Sequence, residues 1–240
     1  MKSKTIVLFA FSLFQLTYVL AQINEAGTSN VKINMNDLFF KSTLNSSENQ
    51  MDLSNISGSP YENEAFVLGR VNQKSTKKSM PYYLRYNIYN DEIQIKMDMN
   101  ERNTQSLIKK NDIFMVLNQK EYHFLSYTNK KNNLYEGYFI LIFKGQNCKL
   151  FLRRTKIYKE KQLPKDGYHD PEPAKLVDNQ SYYYTEGKVL VPLADSKKNI
   201  LKQFSGFENK LKNEIKTENL NLRTEEGLKS LFAYYDTLLE

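Results

Sequence analysis

Few residues in this chain could do chemistry, and most of them are badly spaced for it. There are two histidines, His123 and His169, and one cysteine, Cys148. A structural metal site needs about four N, S or O ligands, usually with some close in sequence. No such cluster occurs, and Tyr168-His169-Asp170 offers a single loop pair. Cys148 lies beside Lys149, a neighbour that lowers a thiol pKa, but a nucleophile also needs a base held within reach. Ser75 to Lys78 and Ser106 to Lys109 both read Ser-x-x-Lys, without the companion motifs of the acylating enzymes that use that spacing. There is no Gly-x-Ser-x-Gly elbow, phosphate-binding loop or dinucleotide fingerprint, and nine glycines give a cofactor cradle little to be built from. Acid pairs such as Asp91-Glu92 fall in turns, whereas glycoside hydrolysis needs carboxylates facing across a cleft. The sequence therefore reads as non-catalytic, with no metal and no cofactor.

Binding chemistry is better supplied. Tyr83, Arg85 and Tyr89 alternate on one arm of a strand pattern, and Arg153 or Arg154 projects from a neighbouring one. Aromatic faces interleaved with guanidinium groups can hold a sugar, a lipid head group or a peptide. Tyr83, Arg85, Tyr89 and Arg153 are thus the candidate ligand-binding residues. The competing reading is that they tile a second sheet face packed beneath helices or a loop, the commonest use of aromatic side chains.

The element that must position them is the hairpin from Tyr82 to Met99. Ile93, Ile95, Met97 and Met99 alternate with polar residues in its second arm, which sends one set inward and the other to water. Tyr82, Leu84, Tyr86 and Ile88 share a face of the first arm, and Asn90-Asp91 can take the positive φ of a tight turn. Around it, Phe66–Val71 reads as a strand, Ile113–Leu117 and Tyr122–Tyr127 as a second hairpin, and Leu134–Phe143 as a strand covered on both faces. Cys148–Arg154 follows after a turn at Gly145-Gln146-Asn147. Short connections predict a sequential antiparallel meander. Residues 159–177 then form a Pro-rich loop, with Pro164, Gly167, Pro171 and Pro173, before a last hairpin of Tyr182–Tyr184 and Val189–Val191.

The end of the chain is helical. Ile200, Phe204, Phe207, Leu211 and Ile215 make one apolar stripe. Ser205 and Glu208 have capping-box spacing beside Gly206, which predicts either one bent helix or two meeting there. Thr224, followed by Glu225 and Glu226, opens a final helix with Leu228, Leu231, Phe232, Tyr235 and Leu238 on one face.

Whole-chain properties set the compartment. Lys2 and Lys4 precede an apolar run from Ile6 to Leu20 that ends at Ala21, the layout of a cleavable secretory signal rather than a membrane span. Cleavage there would remove two lysines and lower the formal charge from +7 to +5, spread too thinly for nucleic-acid binding. A lone cysteine forbids an internal disulfide, so the core must stand unaided. Asn45, Asn55 and Asn179 each open a glycosylation triplet by composition alone.

Leu84–Ile93 (LRYNIYNDEI), preceded by Gly58-Ser59-Pro60-Tyr61 and the strand containing Gly69, resembles a group of uncharacterised exported proteins of the Bacteroidetes that bear signal peptides. The likeness continues through Gly137-Tyr138-Phe139, Pro173-Ala174-Lys175 and Leu231–Asp236. It implies envelope localisation and a β body closed by C-terminal helices, and it brings no catalytic residues.

Together these readings predict a mainly β, α+β chain of about seven to nine strands curled as a half-barrel or open barrel. Residues 1–21 would be the signal, 22–62 an irregular segment of little functional interest, 63–193 the sheet and 194–240 helices packed on it. The expected role is a binding or scaffold module for an envelope protein partner in the periplasm, at the outer membrane or outside the cell. The alternative is a periplasmic half-barrel carrying a lipid or other apolar ligand.

Overall fold

The computed structural model describes residues 40–41, 56–102, 104–162 and 172–239. The predicted signal, Asn45, Asn55, His169, Pro164, Gly167 and Pro171 lie outside them.

The body is an antiparallel sheet. Its strands are β1 (Phe40–Lys41), β2 (Val67–Gln73), β3 (Ser79–Asn87), β4 (Glu92–Lys96), β5 (Gln105–Leu107) and β6 (Ile113–Leu117). They continue as β7 (Lys120–Thr128), β8 (Leu134–Lys144), β9 (Lys149–Lys159), β10 (Lys175–Thr185) and β11 (Val191–Pro192). The order is β1-β5-β4-β3-β2-β6-β7-β8-β9-β10-β11, and the two end strands do not pair, so the sheet is open. The expected strict meander is corrected at two steps, since β1 pairs with β5 rather than β2 and β6 does not pair with β5. After β5 the chain crosses back to lay β6 on the free side of β2, pairing Gln73 with Ile113 and Arg70 with Val116. That crossing gives β2 a hydrogen-bonded neighbour on each edge, β3 on one and β6 on the other.

Period-2 alternation explains the core. Leu84, Tyr86, Ile93, Ile95, Met115, Leu117, Tyr122, Tyr138, Ile140 and Leu152 pack on one face and are all at most 3% exposed. Phe139 and Phe151 point the other way, onto Tyr127, Tyr183 and Leu190, so β8 is covered on both faces from Gly137 to Ile140. The expected cover does not extend to its start, where Leu134 and Tyr135 are 65% and 47% exposed. The sheet curls far enough for Leu190 to bridge back to Tyr127 of β7, with its N–H donating to Ser126 at 3.1 Å. The alternation of β4 stops early. Met97 and Met99 are 45% and 47% exposed, because the strand ends at Lys96 and the chain turns through Asp98–Asn100.

Three helices follow: α1 (Lys197–Gln203), α2 (Glu208–Thr217) and α3 (Glu225–Leu238). Two helices, rather than one bent one, meet at Gly206, whose φ is +87°. Ser205 is not the cap. The α2 N-cap is Phe207, and Glu208 instead accepts from the Gly206 N–H at 2.8 Å. Thr224 does cap α3, accepting from the Gly227 N–H at 3.1 Å. The helices pack on Cys148, Leu150 and Tyr184 through Phe204, Leu211, Leu231 and Phe232. Asp236 pins α3 to the β8–β9 turn, its carboxylate accepting the N–H groups of Gln146, Asn147 and Cys148, each at 2.8 Å. Tyr235 adds a bond to Glu186 at 2.7 Å. Among the described residues no helix is long and apolar enough to cross a membrane.

Candidate functional site

Three pieces of chain meet where the sheet splits. β8 and β9 pair only from Ile140 with Leu152 to Lys144 with Lys149, so the outer half of β9 leaves with β10 as a two-stranded ribbon. The second piece is a strap, residues 56–62, which spans from β10 to the end of β3. Ser57 donates to Ala174 O and accepts from the Leu176 N–H, both at 2.8 Å; at the other end Glu62 donates to Tyr86 O at 3.0 Å. Gly58 makes this path possible: its φ is +92°, and a Cβ there would meet Leu176 O at 2.8 Å, so only glycine follows the path unstrained. The third piece is the β3–β4 hairpin tip. Asp91 takes φ +51°, as the Asn-Asp turn predicts.

Two partly buried carboxylates lock these pieces. Glu62, with a side chain 12% exposed, accepts from Tyr122 Oη at 2.7 Å and Arg154 Nη1 at 2.9 Å. Asp91 accepts from Tyr86 Oη at 2.6 Å, from the Tyr138 N–H at 3.2 Å and from Arg153 Nη2 at 3.4 Å. Burial, reinforced by the neighbouring carboxylates, pushes the Tyr86 and Tyr122 phenols well above their usual range, so both stay neutral donors. Gly137 lets the tip approach, since a Cβ there would lie 2.7 Å from Asp91 Oδ2.

Between strap, tip and ribbon lies a half-open cleft of about 340 Å³, within the range of small-ligand sites, about 300–1,000 Å³. Tyr61 and Glu62 form one wall, Ile88 the end, and Arg154, Lys156 and Asp178–Gln180 the other. Lys156 is 7% exposed and held by Asp178 Oδ1 at 2.7 Å, while Asp178 itself is 82% exposed. The lining is polar and carries both signs of charge. It suits hydrogen bonding to an extended polar ligand better than enclosure of an apolar one.

The residues singled out by sequence all lie near this junction, but not on one open face. Arg85 is sandwiched between Tyr61 and Phe66, at 3.7 and 4.4 Å from the ring centroids, and donates twice to Gln94 Oε1 and once to Glu64 O. It holds the strap. Tyr83 sits beside it, paired with Lys96 across the hairpin. Tyr89 donates its N–H to Pro60 O at 3.1 Å. Arg153 faces the opposite side, on Asp91 and over the Tyr127 ring at 4.3 Å. Sequence reasoning missed Tyr61, Glu62, Lys156 and Asp178. No local sequence signal marks them; Lys156 and Asp178 face each other only through the β9–β10 register.

The reactive-type residues are placed elsewhere. Burial, with Asp236 adding to it, pushes the Cys148 thiol up to about 12. His123 stacks on Phe114 with centroids 5.0 Å apart and lies 3.1 Å from Glu121; burial lowers its pKa despite that neighbour. Among the described residues no three His, Cys, Asp or Glu side chains gather as a metal-holding group. Comparison with protein-family models, curated proteins and solved structures returned no match.

Proposed function

We propose that the chain is an exported, non-catalytic binding module that holds a partner protein in the cleft between strap and ribbon. The observation carrying this reading is the contrast within one small region. Glu62, Asp91, Arg153 and Arg154 are consumed in fixing the walls, while Asp178, Asn179 and Gln180 are left exposed beside the opening. Rigid walls with presented polar groups are what recognition needs, because little ordering entropy remains to be lost on binding. Export rests on the predicted signal and the resemblance. The carrier alternative needs space between sheet and helices, and there Leu150, Phe204, Leu211, Leu231 and Phe232 interdigitate at no more than 1% exposure. Affinity capture from the native cell tests the reading. A partner should be retained by the wild type and by Lys212→Trp on the exposed face of α2, and lost with Gln180→Trp, which fills the cleft. Equal retention by both variants would overturn it.

A further inference from the structure

The backbone of β10 has a gap in its pairing, and the gap opens beside the cleft. On its outer edge β10 is covered at one end by the strap, through Leu176 N–H to Ser57 O, and at the other by β11, through Leu193 N–H to Tyr182 O at 2.8 Å. Both contacts use even-numbered residues. The β9–β10 register runs without a bulge from Lys175 with Lys159 to Thr185 with Lys149. In an antiparallel strand the N–H and C=O of alternate residues point to the same side, so Asp178 and Gln180 also direct theirs to the outer edge. Among the described residues nothing pairs with them. Four backbone hydrogen-bonding groups are therefore presented in a row on residues that line the cleft.

Resting on the binding reading above, we infer that an extended, acidic segment of the partner adds as a short strand to this edge of β10. Length excludes a long folded edge. From Val177 to Ser181 the gap is five residues, about 17 Å, with strap and β11 standing in line with it at either end. A sheet edge of a folded domain, or β10 of a second copy, would run on into Ser57 or Leu193. Only a linear segment that bends away at both ends fits, the β-augmentation mode of peptide recognition. Charge selects its composition. β9 carries Lys149, Arg153, Arg154, Lys156 and Lys159 with no acidic residue, and β10 adds Lys175 against Asp178. Glu62, Asp91, Asp178 and Glu172 are bonded to Arg154, Arg153, Lys156 and Lys175, and Lys149 lies on the half of β9 that pairs with β8, so among the described residues Lys159 is the ribbon's one surplus cation. That surplus favours an acidic strand and makes its binding salt-sensitive.

The test uses the chain from Gln22 onward and a random seven-residue peptide library displayed on phage. Enriched peptides should be rich in Asp and Glu, and their affinity should fall at least tenfold between 50 and 500 mM NaCl. Amide exchange supplies the residue-level readout. In the free chain the N–H groups of Asp178 and Gln180 should exchange fast and that of Asn179 slowly; on addition of an enriched peptide the first two should slow. Gln180→Pro removes one outward donor at an edge position where proline is tolerated, so it should keep the melting temperature and lose the peptide. Three results would overturn the inference: Asp178 and Gln180 already protected in the free chain, enrichment of basic or apolar peptides or of none, or full binding by Gln180→Pro. If native-cell capture is abolished by Gln180→Trp yet untouched by Gln180→Pro, strand addition fails while the cleft survives as the binding site.

Discussion

Asp91, at the tip of the β3–β4 hairpin, accepts the backbone N–H of Tyr138 in β8 across 47 positions of sequence. That N–H is free to be taken because β9 has already left β8 at this level. One carboxylate thus does locally what a strand would otherwise do, and it also receives the Tyr86 hydroxyl and Arg153. Replacing Asp91 by alanine leaves a buried phenol, a backbone donor and a guanidinium without their acceptor. The expected loss is about 3 kcal/mol, read as a lower urea midpoint with an unchanged m-value.

Gly58→Ala tests the strap separately. The positive φ and the close approach to Leu176 O leave no unstrained conformation for alanine, at a cost of about 1–3 kcal/mol. Because the strap contributes few core contacts, the effect should be local. Amides at Ser57 and Leu176 should lose protection against exchange, while those of β6 and β7 keep theirs.

Much of the sheet can be read from residues alone, and the exceptions have physical causes. Alternation in Leu84–Ile95 and Ile113–Leu117 signals strands because one face of each is buried and the other is not. The jump from β5 to β6 leaves no local trace, since the pairing of β6 with β2 is decided by which apolar faces meet in space. The Pro-rich loop is read as running to Val177 and the last strand as opening at Tyr182, because the intervening Asp178, Asn179 and Gln180 are all polar; the strand in fact runs from Lys175 to Thr185 because β9 holds it on one side while the other edge stays open. The strap reads as punctuation, Gly58-Ser59-Pro60, and its value lies in the bonds of Glu62, 60 and 92 positions from Tyr122 and Arg154. The helical stripes and the Thr224 cap were legible because both are short-range patterns.

Histidine 123 should give the chain a mild acid sensitivity. Burial lowers its pKa below the ordinary 6.5, with Glu121 opposing and Lys74 and Lys149 reinforcing the shift. The unfolded chain then binds the proton first, so stability is full above about pH 6.5 and falls as pH drops toward the folded value. His123→Gln should flatten the decline in unfolding free energy between pH 7 and 5; an unchanged slope would assign it to other groups.

Asp236 acts in a lower window. Burial raises its pKa, but the N–H groups of Gln146, Asn147 and Cys148 outweigh that and hold the carboxyl below its usual range. Its contribution is present above about pH 3.8 and is lost as pH falls through the lower folded value. Asp236→Asn should lower the melting temperature by several degrees at pH 7, with the difference narrowing below pH 3.

Cys148 is 1% exposed and its thiol is pushed up to about 12. A thiol-specific reagent should therefore label it no faster than the chain unfolds, and Cys148→Ala should leave partner capture intact. Labelling within seconds at pH 8 would contradict this placement.

The most direct check on the central claim is an amide-exchange footprint of the chain with and without the partner captured from its native cell. Slowing of exchange confined to residues 57–62, Ile88 and 177–181 is the predicted result. Protection centred on α1, α2 or α3, with the strap and β10 unchanged, would contradict the assignment of this cleft as the binding site.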